Sequence, residues 1–113
     1  MEDCLFCKIA RGEIPAKKRF EDDEFVAFDD INPKAQTHIL IIPKKHITSV
    51  IDLMPEDEGL MGRLILRAQS IAEKSNLSQD GYRLCINSGR HSGQEVDHLH
   101  LHLIGGNPLG PIA

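Results

Sequence analysis

The stretch Asp97–Gly106, DHLHLHLIGG, sets His98, His100 and His102 at every second position with Leu99, Leu101 and Leu103 between them. No other feature of the chain constrains its folding as tightly. Alternation with a period of two is the pattern of a β-strand with one buried face. On a helix the same residues would scatter around the axis. The spacing therefore predicts a strand with the three imidazoles on one side, each about 6.6 Å from the next, and the leucines turned into a core. A slip of one residue would bury three imidazoles, so the leucines also fix the register.

A row of imidazoles on a rigid strand supports two kinds of chemistry. Neutral nitrogens can hold a metal. Alternatively, one ring can act as a nucleophile beside a proton donor, because histidine titrates near neutral pH. The plainer alternative is a solvated histidine face on an edge strand. The segment just before the row favours chemistry. NSGRHSGQEVDH supplies Asn87, Ser88, Gly89, Ser92, Gly93 and Gln94. Glycines let backbone N–H groups approach an anion, and the amides and hydroxyls add neutral donors. A phosphate cradle beside three histidines points to attack on phosphorus, although glycine-rich loops are also ordinary turns.

The rest of the chain reads as a scaffold for that strand. CLFCKIA spaces Leu5, Phe6 and Ile9 as a short helix, stopped by Gly12 and Pro15. A hairpin is expected from Lys18–Glu21 and Phe25–Asp29, turning at Asp22–Asp23. HILIIP forms a central strand ending at Pro43. Residues 55–75 form one long helix, with Pro55 in its first turn and acidic residues at its positive end. Its apolar face carries Leu60, Met61, Leu64, Ile65, Ala68, Ile71 and Ala72. Gly59 and Gly62 each weaken this helix by about 1 kcal/mol relative to alanine, which a close neighbour, within the subunit or across a dimer, would offset. GYRLCINS alternates as a strand, with Tyr82, Leu84 and Ile86 on one face and Arg83, Cys85 and Asn87 on the other. The order ββ-β-α-ββ has no βαβ alternation, and the last two strands are expected to continue as a meander. The fold class is α+β: a mostly antiparallel five-stranded sheet with one long helix and a short N-terminal helix.

The 113 residues suit one domain spanning residues 1–113. The formal net charge of −4 argues against broad nucleic-acid binding, which needs a basic footprint, but not against a small phosphorylated ligand. No apolar run approaches the ~20 residues needed to cross a bilayer, so no membrane association is expected. The N-terminus has no signal-peptide pattern, and the cytoplasm is the expected compartment. There Cys4, Cys7 and Cys85 stay reduced.

The run His98–Ile104 matches the His-φ-His-φ-His-φ-φ pattern of the histidine triad family in full. FCKIARGEIPAK, FDDINPKAQTHILIIPKKHI, DGYRLCIN and SGQEVDHLHLHLIGG resemble its Hint branch, the histidine triad nucleotide-binding proteins. The resemblance spans nearly the whole chain. It implies a homodimer whose two sheets join into one, and hydrolysis of the P–N bond of purine nucleoside 5′-phosphoramidates, with release of an AMP-type nucleotide. It makes His100 the nucleophile, places His102 on the phosphate and the departing amine, and puts His38 and His98 in the supporting catalytic set. On residue type alone His38 fits a core position equally well. The same resemblance sets Asn87, Gly93, Gln94 and Glu95 around the phosphate and Asp30 on the ribose hydroxyls. Leu5, Phe6, Ile9, Phe28 and Ile31 then form the base pocket, or plain core. Glu95 stands where many relatives have serine, and an ionised carboxylate only accepts. Asp97 stands where an aromatic residue is common.

Cys4 and Cys7 form a Cys-x-x-Cys pair, half of a frequent zinc pattern. His46 and His98 complete a candidate structural zinc set of a kind found in related histidine triad proteins, and catalysis itself needs no metal. The alternative is a short helix carrying two buried thiols. Cys85 is expected in the core and Lys44–Lys45 in solvent. Two rival functions remain: a dinucleoside polyphosphate hydrolase like the Fhit branch, and a non-catalytic nucleotide-binding regulatory protein.

Overall fold

The structure is a computed structural model and describes residues 3–112. A short helix α1 (Leu5–Ala10) leads into strands β1 (Lys18–Glu21), β2 (Phe25–Asp29) and β3 (Thr37–Pro43). Helix α2 (Glu58–Lys74) follows, then β4 (Tyr82–Ile86) and β5 (Leu101–Gly105). The β1–β2 turn is held by Asp22, whose carboxylate accepts the N–H groups of Glu24 and Phe25. Pro55 begins a single 3₁₀ turn that runs straight into α2. Buried Asp57 stabilises that entry, accepting the Met54 N–H and the Lys45 ammonium. Lys45 is thus paired rather than simply solvated.

The sheet order is β1-β2-β3-β5-β4, and every bonded pair is antiparallel. The expected meander gives way to an insertion. β5 lies between β3 and β4, which therefore run parallel to each other on either side of it. The β3–α2–β4 connection is a crossover split by the last strand, a pairing choice that the periodicity of single strands does not encode.

Alternate residues of β2 and β3 enter two cores on opposite faces of the sheet, and β5 alternates buried and half-buried positions. Phe25, Ala27, Ile39, Ile41, Leu99, Leu101 and Leu103 pack with Leu60, Leu64, Ala68, Ile71 and Ala72 of α2 into the larger core. Tyr82, Leu84 and Ile86 join this core from β4, on the face expected of them. Ile65 does not: it is 44% exposed, and adjacent Leu66 is 57% exposed. The apolar stripe of α2 is narrower than the sequence pattern, and Gly62 has open space where a Cβ would stand. On the opposite face of the sheet, Phe6 and Ile9 of α1 cover Val26, Phe28, Leu40 and Ile42. His38, His100 and His102 sit on this second, thinly covered face, where side chains of β3 and β5 meet the edge of α1.

Candidate active site and metal centre

Strand β5 begins only at Leu101, so His98 and His100 precede the regular ladder instead of lying within it. This departs from the expected straight row, and it divides the three imidazoles. The His100 and His102 rings lie 5.0 Å apart, and the His38 ring lies 5.1 Å from that of His102. The His98 ring turns towards Cys4, Cys7 and His46 and is fully buried. Three histidines therefore gather at one place and two at another.

A cleft of about 840 Å³ opens over the first group. Asp30, His38, Asn87, Gly93, Glu95, His100 and His102 line it with polar groups. Leu5, Phe6, Ile9, Phe28 and Ile31 supply its apolar wall, and Ile31 is 90% exposed. An isoleucine left so open at the mouth of a cleft suits a flat apolar ligand. Gln94 is not on the wall. Its side-chain oxygen accepts the Gly89 N–H, and its amide donates to the carbonyls of Thr48 and Val96. The side chain folds the loop that carries Gly93. Gly89 and Gly93 both have φ above +80°, a conformation that side-chain-bearing residues rarely adopt. Cys85 faces the cleft rather than the core, because it is the β4 neighbour of His102 across the sheet. Ile104 and Val96 also line the cleft. The core position expected for Cys85 is thus corrected, although its strand face was legible, and the sequence singled out neither Ile104 nor Val96.

The hydrogen bonds fix where the imidazole protons sit. The Lys34 main-chain N–H can only donate, and it lies 3.0 Å from His38 Nδ1. The His38 proton is therefore on Nε2, 2.9 Å from His102 Nδ1 and 3.4 Å from Asp30 Oδ2. His102 Nδ1 accepts that proton, which leaves the His102 proton on Nε2. That nitrogen is buried and has no hydrogen-bond partner among the described residues. His100 has the opposite polarity. Its Nδ1 lies 2.7 Å from the His98 carbonyl oxygen, which can only accept, so Nδ1 carries the proton and Nε2 keeps its lone pair. One lone pair and one N–H are thus presented side by side. Burial holds the His38 and His102 rings neutral. It pushes His102 down to about 4, with His100 and His38 adding to the shift. It also lowers His38, against the opposing pull of Asp30.

The second group is a four-donor cluster. The donor atoms of Cys4, Cys7, His46 and His98 all lie within 4.8 Å of one another. His98 Nε2 lies 2.8 Å from the Pro43 carbonyl oxygen and must donate to it, so Nδ1 offers a lone pair to the thiols, 3.3 Å from Cys4 Sγ and 3.5 Å from Cys7 Sγ. His46 Nδ1 lies 3.3 Å from Cys7 Sγ. Two sulfurs and two imidazole nitrogens in a compact set, with a carbonyl orienting one ring from behind, fit a tetrahedral zinc ion. The Cys-x-x-Cys spacing follows from the helix start: Cys4 caps α1 and its sulfur accepts the Cys7 N–H.

A family profile described as "Scavenger mRNA decapping enzyme C-term binding" matches residues 3–110. A curated relative from Escherichia coli, named purine nucleoside phosphoramidase, is 51% identical over 98% of this chain and 93% of its own length. A HIT family hydrolase from Legionella pneumophila superposes with a TM-score of 0.94 at 51% identity, covering 96% of each chain. A zinc-bound histidine triad family protein from Mycobacterium smegmatis superposes with a TM-score of 0.78 at 34% identity, over 92% of this chain and 75% of that one. The chain belongs to the histidine triad family, and it is an enzyme of the hydrolase class.

Proposed function

We propose that this enzyme cleaves the P–N bond of purine nucleoside 5′-phosphoramidates through a nucleotidyl-His100 intermediate. The observation that carries the reading is the opposed tautomers of two adjacent rings, a lone pair on His100 Nε2 beside a proton on His102 Nε2. The E. coli relative bearing the phosphoramidase name supports the substrate class.

In the first step His100 Nε2 forms a bond to phosphorus as the P–N bond breaks. The departing amine takes the His102 Nε2 proton, the His38 Nε2 proton moves to His102 Nδ1 through the 2.9 Å contact, and solvent restores the His38 proton. The water that attacks in the second step releases one proton back to solvent. The nucleotidylated imidazole is cationic, and its Nδ1–H stays bonded to the His98 carbonyl, a charge-assisted contact that spreads the new charge. In the second step water attacks phosphorus, the bond to His100 breaks, and a nucleoside monophosphate leaves. Asn87 and the Gly93 backbone face the phosphate, and Asp30 faces the ribose. Phe6, Ile9, Phe28, Leu5 and Ile31 enclose the purine. Gln94 acts by holding the loop, and exposed Glu95 borders the position of the leaving group.

The Cys4–Cys7–His46–His98 cluster would hold structural zinc, which ties α1 to the triad segment and supplies no chemistry at the cleft. The homodimer reading draws support from the outer edge of β4, which pairs only with β5 among the described residues, and from exposed Ile65 and Leu66 on α2. No described helix is long and apolar enough to cross a membrane.

The test offers adenosine 5′-phosphoramidate and diadenosine polyphosphate to the native protein and to His100→Ala. Turnover of the amidate that the substitution abolishes is the expected result. Preferential cleavage of the dinucleotide selects the rival hydrolase, and tight binding without turnover selects a regulatory protein.

A further inference from the structure

We infer that the Cys4–Cys7–His46–His98 cluster sets the orientation of the His100 ring, so that loading it with a thiophilic divalent cation is coupled to the readiness of the nucleophile. The inference rests on the functional reading above for the role of His100, and on geometry alone for the coupling.

Three observations converge. First, His98 belongs to both sites. Its ring faces the thiols at 3.3 and 3.5 Å, while its carbonyl oxygen, 2.7 Å from His100 Nδ1, fixes the proton of the neighbouring imidazole. Second, the backbone that carries this carbonyl is not fixed by the sheet. The β3 and β4 ladders reach only to Leu101. Residues 98–100 are held instead by the Leu99 side chain buried in the larger core, the Leu99 N–H to the Ile47 carbonyl, the His98 N–H to the Val96 carbonyl, and the anchored His98 ring. Third, Phe6 lies between the two thiols on a six-residue helix and meets both rings edge-on, at 6.1 Å from His98 and 5.1 Å from His100. A helix this short has little stability of its own, so its seat depends on what anchors its ends.

Thiol–imidazole contacts at 3.3–3.5 Å are weak tethers. A zinc ion would replace them with bonds of about 2.0–2.3 Å and draw Cys4, Cys7, His46 and His98 together. His98 and Phe6, two of the groups that contact the His100 ring, would be fixed by that contraction. His98 is then a positioning residue, acting on the nucleophile through its main chain and not through its ring.

The experiment reads the His100 tautomer by two-bond ¹H–¹⁵N correlation spectroscopy of histidine-labelled protein, without substrate. Zinc-loaded protein, chelator-stripped protein, stripped protein titrated back with zinc, and His46→Asn are compared. His46 is chosen because its described contacts are with Cys7 and His98, not with His100. The expected result is a single Nδ1–H tautomer of His100 with zinc, and a mixture of tautomers in the stripped protein and the variant that zinc reverses only in the former. In parallel, single-turnover nucleotidylation should slow about tenfold or more on stripping, while KM changes less than twofold. An unchanged His100 signal while those of His46 and His98 move would overturn the inference. So would global unfolding on stripping, since the cluster would then support the whole fold. Because the tautomer is read without substrate, a zinc-dependent switch in a protein that cleaves no phosphoramidate would sink the functional reading and leave the coupling standing.

Discussion

His100 Nδ1 lies 2.7 Å from the carbonyl oxygen of His98, so the ring of one triad residue is bonded to the main chain of another. Two histidines that alternate along a chain would normally be compared as rings. Here one supplies a ring to the cleft, and the other supplies a carbonyl to the first and a ring to the thiols.

The proton on His102 Nε2 should matter in proportion to how badly the departing amine needs it. His102→Ala is expected to lower kcat by about 10²–10⁴-fold on amidates of basic alkylamines. On amidates of weakly basic arylamines the loss should be far smaller. Measuring kcat over a graded series of amines checks this, and an equal loss across the series would contradict the assignment.

Acid should weaken the fold in a defined window. Burial lowers His102 to about 4 and also lowers His38 and His98. In the unfolded chain all three return to about 6.5. Between those values the unfolded chain binds more protons, so stability is lost as pH falls. Tm should hold steady above about pH 7, fall from about 6.5 towards 4, and fall less steeply in His102→Asn. A Tm that stays flat between about pH 7 and 5 would contradict the burial of neutral rings.

Asp30 has Oδ1 on the Asn32 N–H and Oδ2 beside His38, at the rim of the cleft. If it also grips the ribose, Asp30→Asn should raise KM about 10- to 100-fold for a ribonucleoside amidate, the loss expected of hydrogen bonds to a charged group. The 2′,3′-dideoxy analogue should be nearly indifferent to the change. Steady-state kinetics on the two substrates decides it.

Zinc content should be close to one per chain by elemental analysis, and Cys7→Ser should lose most of it. Chelation is expected to lower Tm by several degrees, since each kcal/mol of bound-state stabilisation shifts a chain of this size by about 4 °C. A metal-free protein whose Tm ignores both zinc and chelator would contradict the structural assignment.

Much of this was legible in the sequence because strands announce themselves by alternation. The leucines of the triad segment enter the α2 core as their spacing requires, and Tyr82, Leu84 and Ile86 do the same from β4. The four thiol and imidazole donors also came together from residue type and spacing. Other features depend on tertiary pairing that no local pattern carries. β5 inserts beside β3 rather than following β4 outwards, which is why Cys85 meets His102 across the sheet. Strand geometry stops short of His98 and His100, so a periodicity that reads as three equivalent rings yields two environments. Gln94 looks like a phosphate donor by composition, yet its hydrogen-bonding groups are engaged by the backbone of its own loop and by Thr48. Ile65 fits the apolar stripe of α2, yet it stands 44% exposed and outside the core.

The central claim is that His100 carries the nucleotidyl group. Mass spectrometry of peptides from protein quenched during turnover of adenosine 5′-phosphoramidate reads this directly. The account predicts a single adenylyl adduct on His100, absent from His100→Ala. An adduct on His102, His38 or another residue, or turnover with His100 never modified, would contradict it.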